Sequence, residues 1–249
     1  MTEFTHDKVV PFKDSKLGKK QQVAAMFDRI AFRYDFLNRF LSGGIDIYWR
    51  RRAIRELSAL HPKYILDVAT GTADMAIFMT RHLSPEKITG IDISTGMLEI
   101  GRQKIARNKL EGKILLQEGD SENIQAPDNT FDAITVAFGV RNFENLEKGL
   151  KEMLRVLRPG GRLVILEFSH PKTPGIRQLY NLYLNIVAPR IGGIMTHSGE
   201  AYQYLNDSVK AFPEGPALVR ILENNGYVNT RLKRLSLGIC SIYTGEKTF

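Results

Sequence analysis

The segment Tyr64-Ile65-Leu66-Asp67-Val68-Ala69-Thr70-Gly71-Thr72-Ala73-Asp74 begins as an apolar run and ends in small residues around one glycine. The run predicts a buried strand over 64–69, and the helical pattern behind it predicts a helix over 73–82. Gly71 supplies a tight turn between them, where backbone amides at a helix start meet ligand atoms closely. The same residues also read as no more than a compact turn. A dinucleotide fingerprint, Gly-x-Gly-x-x-Gly, is not met, because positions 69, 73 and 76 are all alanine.

Outward from this unit the alternation repeats. Apolar segments 88–93, 114–118, 133–138 and 162–168 predict strands, with helices over 96–108 and 146–157. Continuous apolar strands separated by helices indicate a parallel α/β sheet covered on both faces. Ligands in such sheets sit beyond the carboxyl ends of the strands, at the switch in strand order. Phe131-Asp132-Ala133-Ile134 opens the fourth strand, and Arg158-Pro159-Gly160-Gly161 stops a helix before the fifth. Segments 227–235 and 239–246 read as two further strands joined through Leu237-Gly238, an antiparallel edge.

Residues 1–18 show little periodicity and are expected to be mobile or loosely docked. Phe27, Ile30, Tyr34, Leu37 and Leu41 then mark one face of a helix starting near Lys19, broken by Ser42-Gly43-Gly44. A second helix, about 47–59, carries Arg50, Arg51, Arg52 and Arg55, read together as its basic side. Helical stretches over 175–188, 199–209 and 216–225 follow the fifth strand. The organisation expected is one domain: a helical extension (1–60), a core (61–169), an insertion suited to a substrate lid (170–212), and a C-terminal helix with strands (213–249).

The 249 residues are 43% hydrophobic and 25% charged, a globular composition that excludes disorder and fibrous repeats. Lys+Arg total 35 against 27 Asp+Glu, and the net charge of +8 suits an anionic partner. The basic residues form no long tract and no RNA-binding signature is present, so nucleic acid is not the expected partner. A single Cys240 suits a reducing compartment, and five scattered histidines without zinc-like spacing predict no metal. Met1 to Lys20 lacks the apolar core of a secretory signal, and the uncharged stretch between Arg177 and Arg190 is too short to span a bilayer. A cytoplasmic protein is expected, with peripheral contact at an anionic membrane surface through the arginines of the second helix.

Asp92 ends the second strand about twenty residues after Gly71, where a carboxylate can accept both hydroxyls of a ribose. It also reads as a helix N-terminal residue before Ser94. Gly119-Asp120-Ser121 after the third strand suits an adenine edge, or equally a helix cap. Together Asp67, Gly71, Asp92 and the order of strands closely resemble the class I S-adenosylmethionine-dependent methyltransferases. That resemblance implies a Rossmann-like, mostly parallel seven-stranded sheet with helices on both faces.

A narrower likeness covers nearly the whole chain from about Ala24. Tyr34-Asp35-Phe36-Leu37-Asn38-Arg39 with Trp49-Arg50, Phe138-Gly139-Val140-Arg141-Asn142 and Leu166-Glu167-Phe168-Ser169 resemble the ubiquinone/menaquinone biosynthesis C-methyltransferases, the UbiE/MenG family. Pro189-Arg190-Ile191-Gly192 and Tyr202-x-Tyr204-Leu205 continue it. The resemblance implies methylation of a ring carbon of a prenylated quinol, demethylmenaquinol or the ubiquinone precursor; another small acceptor is the alternative. It implies S-adenosyl-L-methionine as cofactor, contacted at Thr72, Asp92, Asp120 and Ser121. It departs from the family at Ala137, where a serine often adds a contact. Oligomeric state stays open, with a homodimer as one choice.

Carbon methylation needs alignment of carbon, methyl and sulfur, and stabilisation of developing phenolate charge. The resemblance points to Arg141, Asn142 and Tyr34 for this. Arg141 is expected as an electrostatic stabiliser and Tyr34 as a proton relay or ring-packing group. A surface salt-bridge partner for Arg141 and a core residue on the apolar stripe for Tyr34 are the competing readings. His197, in the expected lid, is a rival base. An apolar tunnel for the tail is expected from Ile47, Tyr180, Leu184, Ile194 or Met195.

Overall fold

The computed structural model of the protein describes residues 4–175, 178, 182 and 199–249. The chain runs α1 (Lys19–Leu41), α2 (Ile45–Arg55), β1 (Tyr64–Val68), α3 (Asp74–His82), β2 (Lys87–Asp92), α4 (Thr95–Arg107), β3 (Ile114–Glu118), β4 (Phe131–Ala137), α5 (Leu146–Val156) and β5 (Leu157–Phe168). After the expected insertion come α6 (Gly199–Ala211), α7 (Pro216–Asn224), β6 (Val228–Leu235) and β7 (Cys240–Glu246). The seven strands form one sheet in the order β3-β2-β1-β4-β5-β7-β6. The first five are parallel, whereas β7 runs antiparallel to both β5 and β6. This is the sheet the sequence predicts, including its antiparallel end. Strand order reverses between β1 and β4, so a cleft opens at their carboxyl ends.

Strand side chains alternate between faces. Ile65, Ala133, Val164 and Leu166 pack with Trp49, Ile54, Met75 and Leu98 on the side of α2, α3 and α4. Leu66, Val68, Ile134 and Ile165 pack with Leu150, Met153 and Leu222 on the side of α5 and α7. Each fully buried aliphatic side chain contributes roughly 1.5–3 kcal/mol relative to exposure. Side-chain caps start two of the helices: Ser94 accepts the Met97 amide at 3.2 Å and Asn145 accepts that of Lys148 at 2.9 Å. Gly160 and Gly161 lie inside β5, which begins at Leu157 by pairing with Phe131 and passes a register shift before Arg162.

The N-terminal segment is docked. Thr5–Lys8 forms a 3-10 turn whose buried His6 meets the Phe212 ring edge-on at 5.2 Å. The Lys19 ammonium donates to the His6 carbonyl at 2.7 Å, and the Phe12 amide donates to the Gln22 side chain at 2.9 Å. These partners are distant in sequence, which is why periodicity gave no sign of them. Helix α2 corrects a second expectation. Arg50 is buried, whereas Arg51 and Arg55 are exposed. Successive helical residues are about 100° apart, so four arginines at 50–52 and 55 cannot share one face.

Candidate functional site

A cleft opens at the switch in strand order, beneath α1. Ala69 and Gly71 after β1, Asp92 and Ile93 at the end of β2, Gly119 to Glu122 after β3, and Ala137 to Gly139 after β4 form its floor. Val23, Phe27 and Tyr34 of α1 cover it, and Asn142 closes the β4 side. Of the residues expected at the site, the structure gathers Tyr34, Gly71, Asp92, Asp120, Ser121 and Asn142 around this one space.

The turn after β1 is held in unusual backbone. Ala69, Gly71 and Ala73 all have positive φ, 52°, 56° and 63°. The two alanines carry a steric cost of about 1–2 kcal/mol each. A Cβ added to Gly71 would meet no protein atom within 4 Å, so it would project into open space. Gly139 approaches the turn so closely that a Cβ there would sit 2.5 Å from that of Ala69. No side chain caps α3 at Ala73. Close backbone and a helix start without a cap suit a ligand rich in hydrogen-bonding groups.

Asp92 is the acid at the centre. Its Oδ2 accepts the Gly71 amide at 2.8 Å and its Oδ1 the Ser94 amide at 2.9 Å. Burial raises its pKa to about 6, assisted by the Asp67 charge and opposed by those amides. Asp120 receives the Glu122 amide at 2.9 Å and the Lys20 ammonium at 2.6 Å. Lys20, on α1, therefore reaches the carboxylate after β3. Burial pushes the Tyr34 hydroxyl up, against the charges of Arg141 and Arg50 and a hydrogen bond from Asn38. Asn142 Oδ1 accepts the hydroxyl of Tyr204, from α6, at 3.1 Å.

Three expected residues lie off the cavity wall. Asp67 is buried under the turn, accepting the hydroxyls of Thr70 at 2.6 Å and Thr135 at 2.5 Å. It braces the loop rather than facing the cavity. Thr72, expected as a cofactor contact, donates its hydroxyl to Asp35 of α1 at 2.5 Å and accepts Lys104 at 3.1 Å. Arg141 is buried, donating to the Phe138 carbonyl at 2.5 Å and to Glu167 at 2.8 Å. The ion pair of Arg141 is thus buried rather than at the surface, and any charge it lends the site acts from behind the wall. Ala137 lines the cavity with a methyl group, so no hydroxyl is presented there.

Two acids of α1, neither lining the cavity, take no individual role from the sequence alone. Asp28 of α1 accepts the Ser94 hydroxyl at 2.6 Å and the Gly96 amide at 2.8 Å, capping α4 from outside. Asp35 binds Lys104 at 2.8 Å, and Lys104 also binds Asp74. The spacing of seven between Asp28 and Asp35 puts both on one side of α1, beside its apolar stripe. His197, Tyr180, Leu184, Ile194 and Met195, together with 189–192, lie outside the described residues. Among the described residues no helix is long and apolar enough to cross a membrane.

Comparison with known proteins agrees with this architecture. Residues 15–247 match the model of the ubiE/COQ5 methyltransferase family. A demethylmenaquinone methyltransferase of Bacteroides fragilis is 45% identical over 98% of this chain and 99% of its own. A ubiquinone/menaquinone biosynthesis C-methyltransferase UbiE of Geotalea daltonii is 48% identical over 95% of this chain and 100% of its own. Among solved structures, human N-acetylserotonin methyltransferase in complex with SAM superposes with a TM-score of 0.64 at 17% identity, over 94% of this chain and 61% of that one. A putative S-adenosyl-L-methionine-dependent methyltransferase of Methanococcus maripaludis gives 0.59 at 18% identity, over 96% and 98%. These two likenesses concern the fold.

Proposed function

The chain belongs to the ubiE/COQ5 methyltransferase family, and from that premise we propose that it methylates a ring carbon of a prenylated quinol, demethylmenaquinol first. The ubiquinone precursor is a second acceptor of the same class. One observation carries the reading: a single cavity joins the Gly71 and Asp92 turns to Tyr34 and Asn142 across the switch in strand order.

S-adenosylmethionine is the methyl donor, and the residues present fit it. Asp92, held between two backbone amides, has the form to accept the two hydroxyls of a ribose. The positive-φ turn at Gly71 leaves room for the amino-acid part beside the start of α3, and Asp120 with Ser121 suits an adenine edge. When bound, the sulfonium supplies an electrophilic methyl group. The chain supplies the rest. Asn142 and Tyr34 orient the ring and its hydroxyl, while the floor of small residues and the cover of α1 exclude water. Positive charge from Arg141 favours the acceptor hydroxyl as its oxygen gains negative charge. Tyr34 is suited to hydrogen bonding that oxygen, since burial keeps its own proton firmly held.

Peripheral contact with an anionic membrane belongs to this reading. Arg51 and Arg55 are exposed beside Tyr48 on α2, and Phe32 and Phe36 are exposed on α1. Aromatic and arginine side chains together suit a lipid headgroup surface. The helical extension, core and lid insertion are proposed as the units that divide this work, with a cytoplasmic location.

The function is tested by incubating the protein with methyl-labelled S-adenosylmethionine and a panel of demethylated quinols and soluble phenols. Label on a ring carbon of the quinols alone is the expected result. Transfer to oxygen, or to soluble phenols in preference, would overturn it.

A further inference from the structure

Arg50 is the residue whose surroundings the established chemistry leaves unexplained. It is 7% exposed, and its Nε, buried, has no hydrogen-bond partner. Its ion-pair contact is with Asp46 at 3.8 Å, and Asp46 is shared with Arg39 at the same distance and with the Ser42 hydroxyl. Among the described residues the guanidinium has this one long, shared ion-pair contact. The Asp67 and Asp74 carboxylates balance its charge only from further off, a costly arrangement for a buried cation.

What that charge faces is specific. The Arg50 guanidinium lies 5.4 Å from the centre of the Phe138 ring, a cation–π distance, and Phe138 lines the cavity. Phe138 has φ 60°, an outlier for a bulky side chain, and its ring packs 4.7 Å from that of Phe168. Arg141 lies 5.6 Å from the Phe168 ring. Arg50, Phe138, Phe168 and Arg141 thus form a cation–ring–ring–cation series in which Phe138 lines the cavity and the other three lie behind it. At the Tyr34 hydroxyl the charges of Arg141 and Arg50 and a hydrogen bond from Asn38 favour ionisation, and the Asp92 carboxylate from β2 opposes it.

Building on the function proposed above, we infer that Arg50 is a second positioning cation of the acceptor site. It fixes the Phe138 wall and, with Arg141, sets a positive field where the acceptor hydroxyl loses its proton. Because Arg50 is screened from the cavity by Phe138, it acts without touching the acceptor.

The test needs no acceptor for its first part. With 3-fluorotyrosine placed at position 34, fluorine NMR follows that hydroxyl through a pH titration in wild type, Arg50→Gln and Arg50→Lys. The inference predicts ionisation at higher pH in Arg50→Gln, by about one pH unit, and a value near wild type in Arg50→Lys. Coincident titrations in all three would overturn it. The second part compares turnover of a demethylated quinol. Arg50→Gln is expected to lower kcat about tenfold or more, move the acid limb of the pH profile upward, and leave cofactor affinity within about twofold. A uniform loss at every pH, or a matching loss of cofactor affinity, would assign Arg50 a merely structural role and overturn the inference. Wild-type protein that methylates no quinol while the fluorine shift persists would instead defeat the proposed function alone.

Discussion

The Gly71 amide donates to Asp92 at 2.8 Å, so one carboxylate ties the turn after β1 to the end of β2. The same carboxylate is pushed up to about 6 by burial, which means that the fold favours its acid form. A folded-state value above the unfolded one contributes stability at low pH that is lost as pH rises through about 6. At neutral pH the ionised group therefore costs the free protein up to about 3 kcal/mol, an expense set against binding.

Asp92→Asn removes that charge but leaves the Gly71 or Ser94 amide facing an NH2 donor. Relative to wild type, the cofactor-free variant should therefore gain melting temperature as pH rises from the ordinary carboxylate value to neutrality. The gain should shrink as pH is lowered toward the ordinary carboxylate value. Affinity for S-adenosylmethionine should fall about tenfold or more. Scanning calorimetry over a pH series, with titration calorimetry at neutral pH, checks both directions. A melting-temperature difference between variant and wild type that does not change with pH would contradict the assignment.

Arg141 and Glu167 form a buried pair at 2.8 Å. Removing Arg141 alone leaves a carboxylate without its cation, so Arg141→Met should cost about 3–5 kcal/mol of stability. Adding Glu167→Gln removes the stranded charge and should restore most of the melting temperature. Turnover should stay at least about tenfold low in both variants, measured by methyl transfer to the quinol. Recovery of full turnover in the double variant would reduce Arg141 to a structural partner.

Asp28 joins α1 to the start of α4 through Ser94 and Gly96. Asp28→Ala removes an external cap worth about 1 kcal/mol, a melting-temperature loss of roughly 2–4 °C in a chain this long. Since α1 covers the cavity, release of S-adenosylhomocysteine should also quicken, as read by stopped-flow fluorescence. An unchanged release rate beside the lowered melting temperature would separate the cap from the cover.

Arg51, Arg52 and Arg55 changed together to glutamate should weaken binding to vesicles containing anionic lipid by about a hundredfold or more, at about 1 kcal/mol per basic residue removed. Binding to neutral vesicles should change little. Sedimentation with the two vesicle types decides it, and equal binding by wild type and variant would move the membrane contact elsewhere.

Much of this architecture was legible in the sequence. Apolar runs such as Ile65 to Val68 marked the parallel strands because a sheet covered on both faces needs no polar alternation. Gly71 and Asp92 stood out because a tight turn and a strand-end acid are local features. Contacts set by tertiary packing were not legible. Asp35 with Thr72 and Lys104, or Asp28 with Ser94, are pairs that only the fold brings within reach. Nothing in the local sequence marks Ala69 and Ala73 as left-handed, since alanine does not favour that region. Thr72 and Arg141 sit where sequence position suggested, but their side chains are engaged behind the cavity wall. Arg50 was misread as surface although helical geometry alone sets it about 100° from Arg51.

The account depends most on where the methyl donor lodges, and a crystal structure with S-adenosylhomocysteine tests that directly. The ribose hydroxyls should lie on the Asp92 carboxylate, with the amino-acid part against the Gly71 turn and the sulfur facing the space beside Tyr34 and Asn142. A ligand seated away from Asp92, or a sulfur turned from Tyr34 and Asn142, would contradict it.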